Sequence, residues 1–298
     1  MNIKAIIEKT AKVIFFICAV LAVFAVCSIT LYMIVKGTPA LKEVGVLDLL
    51  FGNEWAPTAQ NRSFGIAYII LSSVAATAAS VLIGVSVGIF TAVFLSEIAN
   101  KTLGKIVGNA VELLAAIPSV IYGLIGMMVL NPLIYKLEKA IFAGDVTHKF
   151  TGGANMLSAV IVLSVMILPT TISVSTSSLK AVPKSLRSAS LALGATKIQT
   201  VFRVVIPSAK SGILTGAVLG IGRALGEAMA INMVAGGSVN IPLPFNSIRT
   251  LTTQIVSEMA YAEGLHRKVL FTVGLILYIF IMAVNLILLK FRKKEVES

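Results

Sequence analysis

Long uncharged stretches set the pattern of this chain. They cover residues 13–35, 63–96, 113–135, 150–179 and 269–289. A further apolar run, from about residue 211 to 234, holds two charges, Arg223 and Glu227. Each stretch matches or exceeds the roughly 20 residues that an α-helix needs to cross about 30 Å of hydrocarbon. The pattern predicts six spanning helices. The 63–96 stretch is longer than one span needs, which predicts a tilted helix or an interfacial segment ahead of it. Pro118 falls near the start of the third span, where a kink is expected, and Glu112 just before it is placed to cap or anchor that helix. Gly152-Gly153 marks the entry to the fourth. The first stretch is uncharged for 23 residues. That is longer than a signal-peptide core, and no A-x-A site closes it, so it reads as an uncleaved first span.

Composition agrees with this pattern. The chain has 298 residues, 57% hydrophobic and 13% charged. Soluble domains carry about 25% charged residues. The formal net charge of +12 raises nucleic acid as a partner. The placement of the basic residues argues against it, because they flank the apolar runs as the positive-inside rule requires. Six spans put both termini on one side of the membrane. Of the Lys and Arg residues, 15 fall on that side and 9 on the other, with Arg223 inside a span. The termini are therefore expected to be cytoplasmic in a bacterial or archaeal cell membrane. The expected organisation is one all-α transmembrane domain over residues 1–298, with membrane lipid as its solvent.

Candidate chemistry is sparse. Cys18 and Cys27 lie nine residues apart on opposite faces of one predicted helix, so they form neither an intrahelical disulfide nor a metal site. His148 and His266 lie far apart in predicted loops. No metal site and no catalytic residue is expected. No G-x-x-x-x-G-K-[ST] loop is present, so ATP as a cofactor would belong to another chain.

The fifth run is the most informative. Gly212, Gly216 and Gly220 repeat every four residues, and Gly222 and Gly226 repeat the interval, a strip that lets another helix approach closely. With a helix start near Ser211, Arg223 stands about 18 Å along it, just past the centre of the hydrocarbon. A charge there costs about 2.5–3.5 kcal/mol on insertion scales, and such residues mark transport pathways. Glu227, one turn on, is placed to pair with it. Two readings follow: a buried ion pair that fixes helix orientation, or an Arg223 that meets a crossing anion with Glu227 orienting it. A guanidinium stays charged and offers a fork of N–H donors suited to an oxyanion.

Residues 180–210 form a predicted loop on the side of the termini, with six basic residues and no acidic one. Two short helical pieces flank Gly194, which permits a turn, and Pro207 is expected to end the second. The segment reads as an amphipathic element on the membrane or as a docking element for a partner. It resembles the EAA loop of ABC-importer permeases, E-A-A-x3-G-x9-I-x-L-P. Ser188-Ala189-Ser190, Gly194, Val204, Ile206 and Pro207 stand at the matching positions, with Ser188 and Ser190 departing from the pattern. The resemblance implies a MetI-like six-helix bundle whose cytoplasmic coupling helices dock into an ATPase.

A closer resemblance is to the PstC family of phosphate-specific permeases within the binding-protein-dependent group. It is carried by the segments 222–227 (GRALGE), 112–123 (ELLAAIPSVIYG), 55–57 (WAP) and 64–66 (FGI), and by Ala228-Met-Ala-Ile after the glutamate. It implies a non-enzymatic permease subunit of an ATP-driven phosphate importer. The implied partners are a PstA-like sister permease, two cytoplasmic ATPase subunits, an external phosphate-binding protein and a sensor kinase system. Residues 223 and 227 would line the substrate pathway. The rival readings are a permease for another oxyanion or solute, a secondary transporter acting alone, and a signalling or scaffold protein.

Overall fold

The computed structural model describes residues 3–296, which are mostly helical. Helix α1 (Ile3–Val44) turns at Gly45, in the left-handed region at φ 87°, into α2 (Val46–Phe51). A hairpin of β1 (Trp55–Ala56) and β2 (Ser63–Phe64) sets Trp55 opposite Phe64. Then come α3 (Ala67–Val93), α4 (Lys101–Ala116), α5 (Ser119–Ile125), α6 (Asn131–Ile141) and α7 (Met156–Ala181). The chain closes with α8 (Lys184–Ala192), α9 (Lys197–Thr200), α10 (Ile206–Gly226), α11 (Met229–Val234), α12 (Leu251–Glu258) and α13 (Gly264–Val296). Among the described residues six segments are long and apolar enough to span: Glu8–Val44, Ala67–Ile98, Ser119–Ile141, Met156–Ala181, Lys197–Gly226 and Gly264–Ile287. The bundle thus has a terminal end, carrying the start of α1 and the end of α13 with α4, α8 and α9. Its distal end carries α2, the hairpin and α12.

The six-span order agrees with the sequence pattern, and the differences have local causes. The first helix continues to residue 44, past its uncharged run, and α2 follows, so about half of the chain between the first two uncharged runs is helical. Pro118 does not kink a continuous third span. Ile117, as the residue before proline, is extended, so α4 stops at Ala116 and α5 starts afresh. Glu112 caps nothing; the cap of α4 is Asn100, whose side chain accepts from the Leu103 amide.

Pro207 does not end a helix either. A π turn over Val201–Val205 precedes it, and the Ile206 amide reaches back to the Val201 carbonyl. A proline ring presses on the carbonyl four residues back, here Arg203, and the wider π turn makes room. The same device recurs at Pro132, after the π turn Gly126–Leu130. Helices α9 and α10 therefore run on as one spanning segment.

Helix α7 is the axis of the bundle, packed against α3 and α10, which also meet each other. From α3, a Cβ at Gly84 would stand 2.8 Å from the Ser164 carbonyl oxygen, and one at Gly88 2.8 Å from Thr171 Cγ2. From α10, Gly212, Gly216 and Gly220 lie against Ser178, Ser175 and Ile167 respectively, so both helices reach Ile167 and Thr171. Three glycines of the predicted strip thus make the close approach. Gly222 and Gly226 do not, because a Cβ at either would meet nothing within 4 Å. Their spacing continues the interval but turns them off the α7 face. Apolar knots hold the ends: Leu179, Val182, Val201 and Val205 with Ala92 and Val93 at the terminal end, and Leu49, Ile66, Ile69, Leu251 and Val269 at the distal end.

Gly84→Ala forces a methyl against backbone and is expected to lower stability by about 1–3 kcal/mol, the usual cost of overpacking. Gly222→Ala is expected to leave the thermal midpoint of the detergent-purified protein unchanged or slightly raised. Equal losses in the two variants would refute this packing.

Candidate functional site

The fifth span stops short. Helix α10 ends at Gly226, Glu227 is extended at φ −73° and ψ 127°, and Ala228 precedes a new short helix, α11. A break of this kind frees backbone groups that lipid cannot satisfy. Glu227 supplies much of the compensation. Its carboxylate accepts from the Ala230 amide at 2.9 Å, capping α11, and its carbonyl accepts from Thr252 Oγ1 at 2.8 Å. The expected Arg223–Glu227 ion pair is absent. Because the helix ends between them, Glu227 does not occupy the next turn of the same face.

Arg223 stays half-buried in the last turn of α10. Among the described residues its guanidinium takes part in no hydrogen bond or ion pair. Its charge acts at electrostatic range on Tyr122 of α5, whose hydroxyl donates to the Leu114 carbonyl at 2.7 Å. The C-terminal carbonyls of α10 favour a cation at this position.

One face of α7 changes character along its length. Ala159, Leu163, Met166, Thr170, Ser173 and Ser177 follow each other at steps of three and four, so they share a face. The first three are buried under Tyr122 of α5 and Ala230 and Val234 of α11. Close contact there is enforced by Gly123 against Ala230 and Gly126 against Val234. Thr170 is half-buried, and Ser173 and Ser177 are exposed. The face is therefore closed by two short helices towards the distal end and opens, lined by hydroxyls, towards the terminal end. Arg223 acts electrostatically on Tyr122, a member of the closing cluster.

The distal end is tied by charge. Glu258 of α12 accepts from Trp55 Nε1 at 3.0 Å, pairs with Arg249 Nη1 at 2.5 Å and meets His266 Nε2 at 2.8 Å. Arg249 Nε also donates to the Gly237 carbonyl at 2.6 Å. The hairpin, the 236–239 turn, α12 and the start of α13 thus meet at one carboxylate. A second buried carboxylate, Glu138, holds His148 Nε2 at 2.9 Å and the Thr151 amide at 3.0 Å. Two polar cavities of about 610 and 730 Å³ open here, and Ser238 lines both. Among the described residues no group of His, Cys, Asp and Glu could hold a metal ion.

At the terminal end, α8 and α9 flank Gly194, which adopts φ +86°. Thr196 and Gln199 form a capping box on α9, and Ser190 Oγ lies 3.0 Å from Thr200 Oγ1. Ser188, Ala189 and Pro207 are exposed, while Val204 and Ile206 are half-buried. Leu193 is 91% exposed and Ile198 72%. Sequence reasoning found this segment but missed its anchor, Arg187, whose Nη2 pairs with Glu97 Oε1 at 2.8 Å. It also missed the Glu258 and Glu138 networks. Their members lie up to 203 residues apart, and no spacing rule joins them.

Comparison with known proteins adds independent information. Residues 84–294 match the family described as binding-protein-dependent transport system inner membrane component. The chain is 37% identical over 277 residues to the "Probable ABC transporter permease protein YqgH" of Bacillus subtilis, covering 91% of this chain and 86% of that protein. It is 32% identical over 286 residues to the "Phosphate transport system permease protein PstC" of Xylella fastidiosa strain 9a5c, covering 91% and 87%. Among solved structures, a chain of a bacterial alginate ABC transporter superposes with TM-score 0.61 at 17% identity, covering 96% of this chain and 94% of that one. That likeness shows the fold, which is the permease fold of ABC importers.

Removing one partner from a buried charge network leaves the others unpaired, at a cost of about 3–5 kcal/mol. Glu258→Ala is expected to lower the thermal midpoint sharply, and Trp55→Phe, which loses one hydrogen bond, much less. A Glu258→Ala protein as stable as wild type would show that the network does not hold the distal end.

Proposed function

The chain belongs to the family of binding-protein-dependent transport system inner membrane components, and from that premise we propose that it is a translocation subunit of an ATP-driven phosphate importer. It is a multi-pass membrane protein, as its six apolar helices and its family require. Phosphate as substrate is supported by the relatives named as phosphate transport permeases and by an arginine suited to an oxyanion. The observation that carries the reading is Arg223. It is a half-buried cation inside a span, without a counter-ion among the described residues, within electrostatic range of Tyr122 in the cluster that closes a hydroxyl-lined face. A cation left unpaired at that depth is costly unless it serves an anion.

In this reading Arg223 meets the passing oxyanion transiently, since a tight site would prevent release. Glu227 is a positioning residue: it holds the break that ends α10 just after Arg223. Helices α5 and α11 form the barrier at the distal, external side, as the broken helices of transporters do beside their binding sites. The terminal end is cytoplasmic, by the excess of Lys and Arg there. The exposed apolar side chains around Gly194 dock into one of two ATPase subunits, where hydrolysis takes place. A PstA-like sister permease completes the pathway, a phosphate-binding protein delivers substrate to the distal end, and a link to a sensor kinase rests on the family resemblance alone.

Phosphate-starved cells lacking this gene provide the test. Wild type is expected to restore uptake of labelled phosphate, and Arg223→Ala, present in the membrane at equal level, is expected to lose it. Failure of wild type with its partners present would reject phosphate and turn attention to sulfate and molybdate. Because the two residues are not paired, the exchange Arg223→Glu with Glu227→Arg is expected not to restore uptake. Recovery by that exchange would instead make them a structural ion pair.

A further inference from the structure

Helix α8 has no buried residue and stands off the bundle. Among the described residues, its side-chain hydrogen bonds to the rest of the chain are those of Arg187 and the Ser190–Thr200 pair. Arg187 makes several. Nη2 donates to Glu97 Oε1 at 2.8 Å and to the Leu179 carbonyl at 2.8 Å, Nε reaches Glu97 Oε2 at 3.4 Å, and Nη1 donates to the Val182 carbonyl. The side chains are 22% and 9% exposed, so the pair is largely shielded from water. Glu97 lies in the π turn that ends the second span, while Leu179 and Val182 lie at the C-terminal end of the fourth.

One guanidinium thus grips the ends of two spans from a helix whose other contacts are mainly with α9 and the π turn Val201–Val205. The carbonyls at the end of α7 are those a helix leaves without partners, and a cation there is favoured by the helix dipole. Capping α7 would need only the carbonyl contacts. The added bidentate approach to Glu97 brings in the second span, and Leu179 and Val182 belong to the apolar knot that includes Val201, Val205 and Ala209 of the fifth. Displacement of α8 is therefore handed to α3, α7 and α10 together, the three helices that glycine contacts lock side by side.

We infer that Arg187 with Glu97 is the joint through which movement of the coupling helix reaches the spans, a positioning role distinct from docking. This rests on the reading that α8 and α9 meet an ATPase. A lysine at 187 would keep the charge but lose the fork that serves a carboxylate and two carbonyls at once.

The test uses the complete transporter in proteoliposomes, measuring phosphate imported per ATP hydrolysed, with a cross-link from Leu193→Cys to the ATPase as the docking control. In Arg187→Ala and in Glu97→Gln the cross-link and ATP hydrolysis are expected to persist. Phosphate per ATP is expected to fall about fivefold or more, the scale of a coupling free energy between sites, and less in Arg187→Lys. An unchanged ratio in both variants, or hydrolysis and import falling in proportion, would overturn the joint. Loss of the cross-link in Arg187→Ala alone would make Arg187 a docking residue instead. No cross-link in wild type would overturn the docking reading itself, and the joint with it.

Discussion

Hydrocarbon offers no hydrogen-bond partner to a peptide group, so a helix that stops inside a membrane protein must find its missing partners within the chain. That constraint governs the fifth span. It ends at Gly226, and Glu227 turns both its carboxylate and its carbonyl to the repair, towards Ala230 and Thr252. Glu227 is thereby withdrawn from Arg223. The arginine is left with a charge, a half-buried position and no counter-ion among the described residues. In the proposed reading this is the cation that meets the solute.

The remaining architecture holds that break in place. Glycines bring α3 and α10 together against α7, and tight contacts at Gly123 and Gly126 seat α5 and α11 over its distal half. The same face of α7 opens towards the terminal end, where hydroxyls replace Ala159, Leu163 and Met166. At the distal end Glu258 gathers four separate segments. At the terminal end Arg187 gathers two spans and the coupling helix. The proposed barrier, lining and coupling joint thus occupy successive levels along the bundle.

Much of this was legible in the sequence. Hydropathy is a local property, so the six spans were readable from runs of uncharged residues, and Gly212, Gly216 and Gly220 from their spacing. The Gly194 turn followed from the one residue that adopts φ +86° without strain. The extension of the interval to Gly222 and Gly226 failed, because spacing places a residue on a face but does not say which face meets a neighbour. The ion pair failed because the i, i+4 rule assumes a helix that continues, and nothing in GRALGEAMA marks its end as Pro118 marks that of α4. Pro207 misled in the opposite sense: a π turn absorbed it. Arg187–Glu97 and Trp55–Glu258 join residues 90 and 203 positions apart, and only the fold brings them together.

The central claim is that Arg223 faces a water-accessible pathway. A cysteine there, in a chain whose two native thiols, Cys18 and Cys27, are replaced by serine, reports it directly. In the assembled transporter, a small charged thiol reagent is expected to label Arg223→Cys, with a rate that changes between the nucleotide-free and ATP-bound states. If Arg223→Cys stays unlabelled in both states while the exposed Leu193→Cys reacts, Arg223 is sealed in protein or lipid, and the pathway runs elsewhere.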